Sequence, residues 1–299
     1  MRRDVLLSLL TLSWACAGIK RGTTRTRLAV MIQASLNYLG EMPEKPAFHV
    51  FDSSRHNLNL VSHTVPVRDA REIPAGASLD REGFCLVRHH TCAARLESRR
   101  EVLRVYGPEL ERLVGELTGA AAVIAEPIGV VRVACGGARA LTTPAHPPLR
   151  FVHADFTLRS VSWLIRRLLP TDEVELFGRG RRCVVYNIWR SLTPPPQDVP
   201  LAVCDLRTVD PDGAVAADAL LDFPGSRPGM TESTLFHRNA RHNWYYYPDM
   251  SGDDVLIFKS FDSAIAHGGW VPHSAFNDPT CRLGVPGRES IDLRVLALF

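Results

Sequence analysis

From residue 121 to the end, the chain is a succession of short apolar runs: "AAVIAEPIGVVRV", "RFVHADFTL", "RCVVYNIWRSL", "PLAVCDLRTV", "NWYYYP", "DVLIFKSF" and "IDLRVLALF". Turn residues separate them, and several alternate apolar and polar side chains with the period of two that a strand requires. So many strands with so few helical patterns between them restrict the chain to an antiparallel sandwich or barrel with helices packed outside. The expected fold class is mainly β with packed helices (α+β).

Residues 34 to 90 continue this pattern, with "AFHVF", "LNLVSHTVPV" and "GFCLVRHH" broken by Pro and Gly. Helical spacing appears in "CAARLESRREVLRVYG" and "PELERLVGELTG", where Leu110, Leu113, Val114 and Leu117 form a stripe of period 3.6. Gly107-Pro108 separates the two as a stop and a start, and Gly119 ends the second. A third short helix is predicted at "SVSWLIRRLL". "TPPPQDVP" reads as a loop, because strands resume on both sides of it. Residues 31–299 are therefore expected to form one domain.

The first 30 residues differ from the rest. Arg2 and Arg3 precede a short apolar run and the small-x-small site Ala15-Cys16-Ala17, the layout of a secretory signal. The run is too short to span a bilayer. The other reading is an extension, or a start placed too early, ahead of the domain.

A net charge of +3 without a dense basic run gives no support for nucleic-acid binding. The seven cysteines include no CxxC pair, so they read as small buried hydrophobes rather than a disulfide framework or a zinc site.

In "RFVHADFTL" a strand reading places Val152, Ala154, Phe156 and Leu158 on one face and His153, Asp155 and Thr157 on the other. An imidazole and a carboxylate two residues apart are two-thirds of a facial triad for a divalent metal. Alone the pair says little, since a chain with 11 His and 32 acidic residues holds roughly one such pair by chance. The C-terminal stretch adds His273 in the Pro-flanked "WVPHSAFNDPT". In "RESIDLRVLALF", Arg288, Ser290, Asp292 and Arg294 share one strand face, and Ile291, Leu293, Val295 and Ala297 the other. A guanidinium beside a hydroxyl suits one carboxylate of a diacid.

The ordered set His153-x-Asp155, His273, Arg288-x-Ser290 resembles the signature of Fe(II)/2-oxoglutarate-dependent oxygenases. The runs "LNYLGEMPEKP", "VYGPELERLVGELTGA", "VHADFT", "YNIWRSL", "QDVPLAVCD", "HNWYYYPDM", "VLIFKSFDS", "PHSAFNDPT" and "RESIDLRVLALF" are similar to the AsaB-type hydroxylase/desaturase family (gibberellin desaturase/CmcJ-like). This resemblance covers residues 34 to 299. One departure is Ser191, where the family usually has Pro after the Arg of "NIWR".

The resemblance implies a double-stranded β-helix (jelly-roll) core. It also implies Fe(II) held by His153, Asp155 and His273, and 2-oxoglutarate as co-substrate seated by Arg288 and Ser290. O2 would be the oxidant, and a small-molecule natural product would be hydroxylated or desaturated. Such chemistry suits a cytoplasmic protein.

Asn187 is a candidate to support a metal ligand or the co-substrate, and Arg190 a candidate second anion contact. Trp244, Tyr245 and Tyr247 either wall the substrate pocket or pack in the core, with the core favoured. Lys259 is expected to pair with Asp262. Two rivals remain open: a metal-dependent hydrolase using the same triad, which needs a water-activating base and neither Arg288 nor Ser290, and a non-catalytic binding member of the same fold.

Overall fold

The computed structural model describes residues 31–135, 146–171, 174, 180–221 and 229–299. The expectations for residues 1–30 lie outside the described residues.

Fifteen strands are described: β1 Met31–Leu39, β2 Ala47–His49, β3 Leu60–Asp69, β4 Phe84–Arg88, β5 Ala122–Ala125, β6 Val130–Val133, β7 His153–Ala154, β8 Cys183–Ser191, β9 Leu201–Cys204, β10 Ala214–Leu221, β11 Gly229–Phe236, β12 Trp244–Tyr246, β13 Asp254–Asp262, β14 His273–Ala275 and β15 Glu289–Leu298. They form two sheets. The larger runs β1-β3-β12-β9-β14-β7-β11-β10-β2, and the smaller β4-β13-β8-β15-β5, with β6 also paired to β15. Pairing is antiparallel except for β10 with β2 and β12 with β3. This is the mainly β architecture expected from the pattern of short runs, with the two-sheet jelly-roll core that the resemblance implies.

The smaller sheet is buried on both faces. The outward side chains of β8, β13 and β15, among them Tyr186, Ile188, Ile257, Ile291, Leu293 and Val295, join Val102, Tyr106, Leu110 and Val114 in one core cluster. Those last four belong to a helical run made of α1 (Arg99–Glu101), a π segment (Val102–Tyr106) and α2 (Gly107–Thr118). Gly107-Pro108 was expected to divide two helices, and instead the helix passes through it. Pro108 has no N–H to donate and its ring crowds the preceding turn. The chain answers by widening: the Gly107 N–H bonds back to the Val102 carbonyl, one residue further than in an α-helix. Gly119 closes the run in the left-handed region at φ 69°, as its position predicts.

The stretch around 153 also departs from expectation. Only His153 and Ala154 are strand, and α3 (Leu158–Leu168) begins earlier than the predicted third helix. Thr157 leaves the strand face to cap that helix, accepting from the Ser160 N–H in a reciprocal capping box. Leu158 is 51% exposed rather than buried. Strands β10 and β11, built of small and polar residues ("AVAADALL", "GMTESTLF"), carry too weak an apolar signal to stand out in the sequence.

Inward-facing side chains of the two sheets meet between them. From the larger sheet come His153 and His273; from the smaller come Asn187, Trp189, Phe258 and the face that begins at Arg288. The core clusters flank this polar centre, with Phe84, Trp189, Val203, Phe258 and Val271 in one, and Phe156, Val161, Ile165, Val185 and Leu296 in another that docks α3.

Candidate metal centre

β7 and β14 are neighbours in the larger sheet and pair at a single position, His153 opposite His273. Their rings lie 4.3 Å apart, centroid to centroid. Asp155 follows just past β7, where the chain turns off the sheet toward α3. One ligand atom from each of His153, Asp155 and His273 lies within 4.8 Å of the others. The three residues singled out by spacing are thus brought together.

The hydrogen bonds fix the state of each group. The His153 Nδ1–H donates to the Phe151 carbonyl at 2.9 Å, and the His273 Nδ1–H to the Val271 carbonyl at 3.1 Å. A carbonyl only accepts, so the proton is on Nδ1 and each Nε2 keeps its lone pair. Burial, reinforced by the neighbouring His273, pushes His153 down to about 3. Burial likewise lowers His273, although Asp155 pulls the other way. For Asp155, burial alone would raise the carboxyl, but Arg294 and His273 hold it well below the usual carboxylate range. Two neutral imidazoles and one carboxylate on one side of a cavity form the donor set that a divalent iron takes with positions left open.

Three strands of the opposite sheet grip Asp155. Asn187 Nδ2 on β8 donates to Oδ2 at 2.8 Å, Ser260 Oγ on β13 donates to Oδ2 at 3.0 Å, and Arg294 Nη2 on β15 donates to Oδ1 at 3.0 Å. Asn187 therefore touches a metal-ligand candidate, as expected for a supporting residue. Ser260 and Arg294 were not singled out from the sequence. Arg294 carried a signal, since it shares a strand face with Arg288 and Ser290. Ser260 is two residues past the pocket-lining Phe258, so alternation along β13 puts it on the inward face. The β13–β8 register slips between Lys259 and Phe261, which leaves Ser260 unpaired in that ladder.

Arg288 is 1% exposed, and its Nε and Nη2 make no hydrogen bond among the described residues. Ser290 Oγ is equally buried and equally without a partner. Burial, and then the like charge of Arg132, bring Arg288 down to about 9, which leaves it cationic at neutral pH. A buried guanidinium with idle N–H groups is costly unless an anion completes it. Arg288, Asn187 and the three ligand candidates line one pocket, closed by Leu149, Trp189, Leu201 and Phe258. The other carboxylate in that lining, Asp292, is ion-paired to Arg132 and Arg294.

Arg190 does not join them. Period-two alternation along β8 sends Asn187 and Trp189 inward and Arg190 outward with Tyr186. There it donates to the Tyr106 hydroxyl, to the His89 carbonyl and to Gly252, and contacts His89 Nδ1 at 2.7 Å. Its place is under the helix, so the second anion contact expected of it is corrected to a structural one. Ser191, the departure from the family pattern, lies opposite Ser290 in the β8–β15 ladder and donates to the Thr193 carbonyl.

Trp244 and Tyr247 are buried in core clusters, and Tyr245 packs partly buried against one of them. None of the three lines the metal pocket. Lys259 bonds Asp262 at 2.8 Å, as expected. Among the described residues, no helix is long and apolar enough to cross a membrane.

A family profile described as "Oxidoreductase/YMDC permease-like domain" matches residues 36–298. The hydroxylase/desaturase efuI of Hormonema carpetanum is 28% identical over 289 residues, covering 90% of this chain and 95% of that protein. The Fe(II)/2-oxoglutarate-dependent dioxygenase nvfI of Aspergillus novofumigatus is 28% identical over 247 residues, covering 80% of this chain and 84% of that one. A solved structure of the iron and alpha-ketoglutarate-dependent endoperoxidase NvfI superposes with a TM-score of 0.76 at 26% identity, over 90% of this chain and 98% of that one.

Proposed function

The chain belongs to the oxidoreductase family whose profile spans residues 36–298, and on that premise we propose that it is an Fe(II)/2-oxoglutarate-dependent dioxygenase. Its substrate would be a small-molecule intermediate of secondary metabolism, hydroxylated or desaturated, and its place of action the cytoplasm. His153, Asp155 and His273 would hold the iron. Arg288 and Ser290 would seat the far carboxylate of 2-oxoglutarate. When bound, the iron supplies dioxygen activation, driven by oxidation of the 2-oxo acid to succinate and carbon dioxide, which is enough to attack an unactivated C–H bond.

The protein's own part is binding, orientation and exclusion of water. Neutral imidazoles leave their Nε2 lone pairs available, and the ionised Asp155 offsets part of the metal charge. The Arg288 fork and the Ser290 hydroxyl fix one end of the diacid, which turns its 2-oxo acid end toward the triad. Leu149, Trp189, Leu201 and Phe258 keep bulk water from the centre.

The observation that carries this reading is the buried Arg288, with two idle nitrogens, in the same pocket as the triad. A hydrolase has no use for it. Among the described residues the pocket lining also offers no free base: Asp292, its remaining carboxylate, is held between two arginines.

The test is anaerobic addition of Fe(II) and 2-oxoglutarate, which is expected to develop the weak visible charge-transfer band of their chelate. Asp155→Ala should abolish the band. Arg288→Ala should raise the 2-oxoglutarate concentration needed for it while metal binding persists. A full-strength band in Asp155→Ala would refute the assignment.

A further inference from the structure

The Asp155 carboxylate is partnered in an unequal way. Its two oxygens offer about four lone-pair positions. Among the described residues, Oδ2 accepts from both Asn187 Nδ2 and Ser260 Oγ, and Oδ1 accepts from Arg294 Nη2 alone. Three positions are filled, and the fourth is on Oδ1. The three donors come from adjacent strands at one level of the smaller sheet. Arg294 is opposite Asn187 in the β8–β15 ladder, and Phe258, two residues before Ser260, is opposite Asn187 in the β13–β8 ladder.

Arg294 is itself fixed. The same Nη2 reaches Asp292 Oδ2 at 3.3 Å, Nη1 is 3.9 Å from Glu126 Oε2, and the guanidinium lies 5.9 Å from the centre of the Phe156 ring. Held on several sides, it cannot swing away from Oδ1 without giving up its pairs with Asp292 and Glu126.

We propose that Arg294, Ser260 and Asn187 are positioning residues that make Asp155 a one-oxygen metal ligand through Oδ1, with Arg294 sharing that oxygen. Two donors on Oδ2 bar it from the metal, so the carboxylate cannot close into a chelate that would consume a position the co-substrate needs. This inference rests on the metal-binding role given to the triad above.

The experiment is calorimetric titration of the metal-free protein with Co(II), without co-substrate, together with X-ray absorption of the Co(II)-loaded parent. Arg294→Gln should bind Co(II) about 10- to 100-fold more weakly, the usual effect of removing a group that orients a metal ligand, and Ser260→Ala about tenfold more weakly. Arg294→Lys, which restores the charge, should return to within roughly threefold of the parent. The absorption spectrum should require one carboxylate oxygen from Asp155. Arg294→Gln binding within threefold of the parent overturns the proposal. So does a two-oxygen carboxylate chelate in the parent, which decides the matter even if Arg294→Gln fails to fold. Absence of Co(II) binding by the parent itself overturns this proposal and the proposed function together; the other two outcomes leave that function standing.

Discussion

The guanidinium carbon of Arg288 lies 5.4 Å from the centre of the Trp189 ring, inside the metal pocket. The indole face attracts this cation without using up its N–H groups. Trp189 therefore holds the fork in place while leaving it ready for a carboxylate. Trp189→Leu is expected to weaken 2-oxoglutarate binding by about 5- to 30-fold, the equivalent of about 1–2 kcal/mol for a desolvated cation–π contact. Metal affinity should not change. Titration of the visible band with 2-oxoglutarate measures the first, and Co(II) calorimetry the second. Equal co-substrate affinity in parent and variant would contradict the role given to Trp189.

Arg190 offers the opposite case. It is 1% exposed and bonded to Tyr106, His89 and Gly252 beneath the helix. Arg190→Met should destabilise the fold by about 3 kcal/mol, because it leaves buried acceptors unpaired. The 2-oxoglutarate affinity of the folded fraction should stay within about twofold. Urea unfolding and band titration check the two halves. A large loss of co-substrate affinity would return Arg190 to the site.

Metal removal has a thermodynamic signature. A ligand that binds only the folded state, present at a hundred times its Kd, stabilises that state by about 2.7 kcal/mol. Co(II) should raise the unfolding free energy by that increment, read as a shift of the urea midpoint, and excess chelator should reverse it. His273→Ala should show no increment at all. A variant that kept the full metal-dependent shift would argue that the ion sits elsewhere.

His242 predicts a pH dependence away from the metal centre. It is 9% exposed, and burial lowers it to about 4, with Asp210 opposing. The Trp244 indole donates to the Tyr38 hydroxyl at 2.7 Å, and that hydroxyl is 3.2 Å from His242 Nδ1. Having accepted from the indole N–H, the Tyr38 hydroxyl still has its own proton to give to Nδ1 of a neutral imidazole. The unfolded group takes up a proton near pH 6.5 and the folded one only near 4, so the unfolded state binds more protons between them. Stability from this group is complete above about pH 6.5 and is lost as pH falls toward 4. His242→Phe should flatten the stability–pH slope across that window by about one proton, up to ~1.4 kcal/mol per pH unit. An unchanged slope would count against a neutral His242.

Much of the site was legible because strands present alternate residues to one face. The "RESIDLRVLALF" alternation separated Arg288 and Asp292, which line the pocket, from Ile291 and Leu293, which pack in the core on the other side. The same rule, applied fully, already excluded Arg190 from the Asn187 face. The pairing of Arg294 with Asp155 was not legible. It joins residues 139 apart, and nothing local marks which of several arginines meets which carboxylate. Ser260 was hidden for another reason: in "DVLIFKSF" it shares a face with Phe258, and nothing in that run marks this face as the one that meets Asp155. The strand expected across 150–158 is confined to His153 and Ala154, and the capping box of Thr157 with Ser160 opens a helix where the alternation had suggested continued strand. Gly107-Pro108 misled because a π turn can carry a helix past a proline at small cost.

The slip at Ser260 bears on length variation. Lys259 is opposite Tyr186 and Phe261 opposite Val185, so these flanking residues already sit as consecutive rungs. Deleting residue 260 would close an unbroken ladder and leave both neighbours facing the layers they face now. The hydroxyl on Asp155 would be lost, and the sheet would be more regular without it. At this one position a shortened strand would favour the scaffold and impair the ligand, so selection for robustness and selection for chemistry act there in opposite directions.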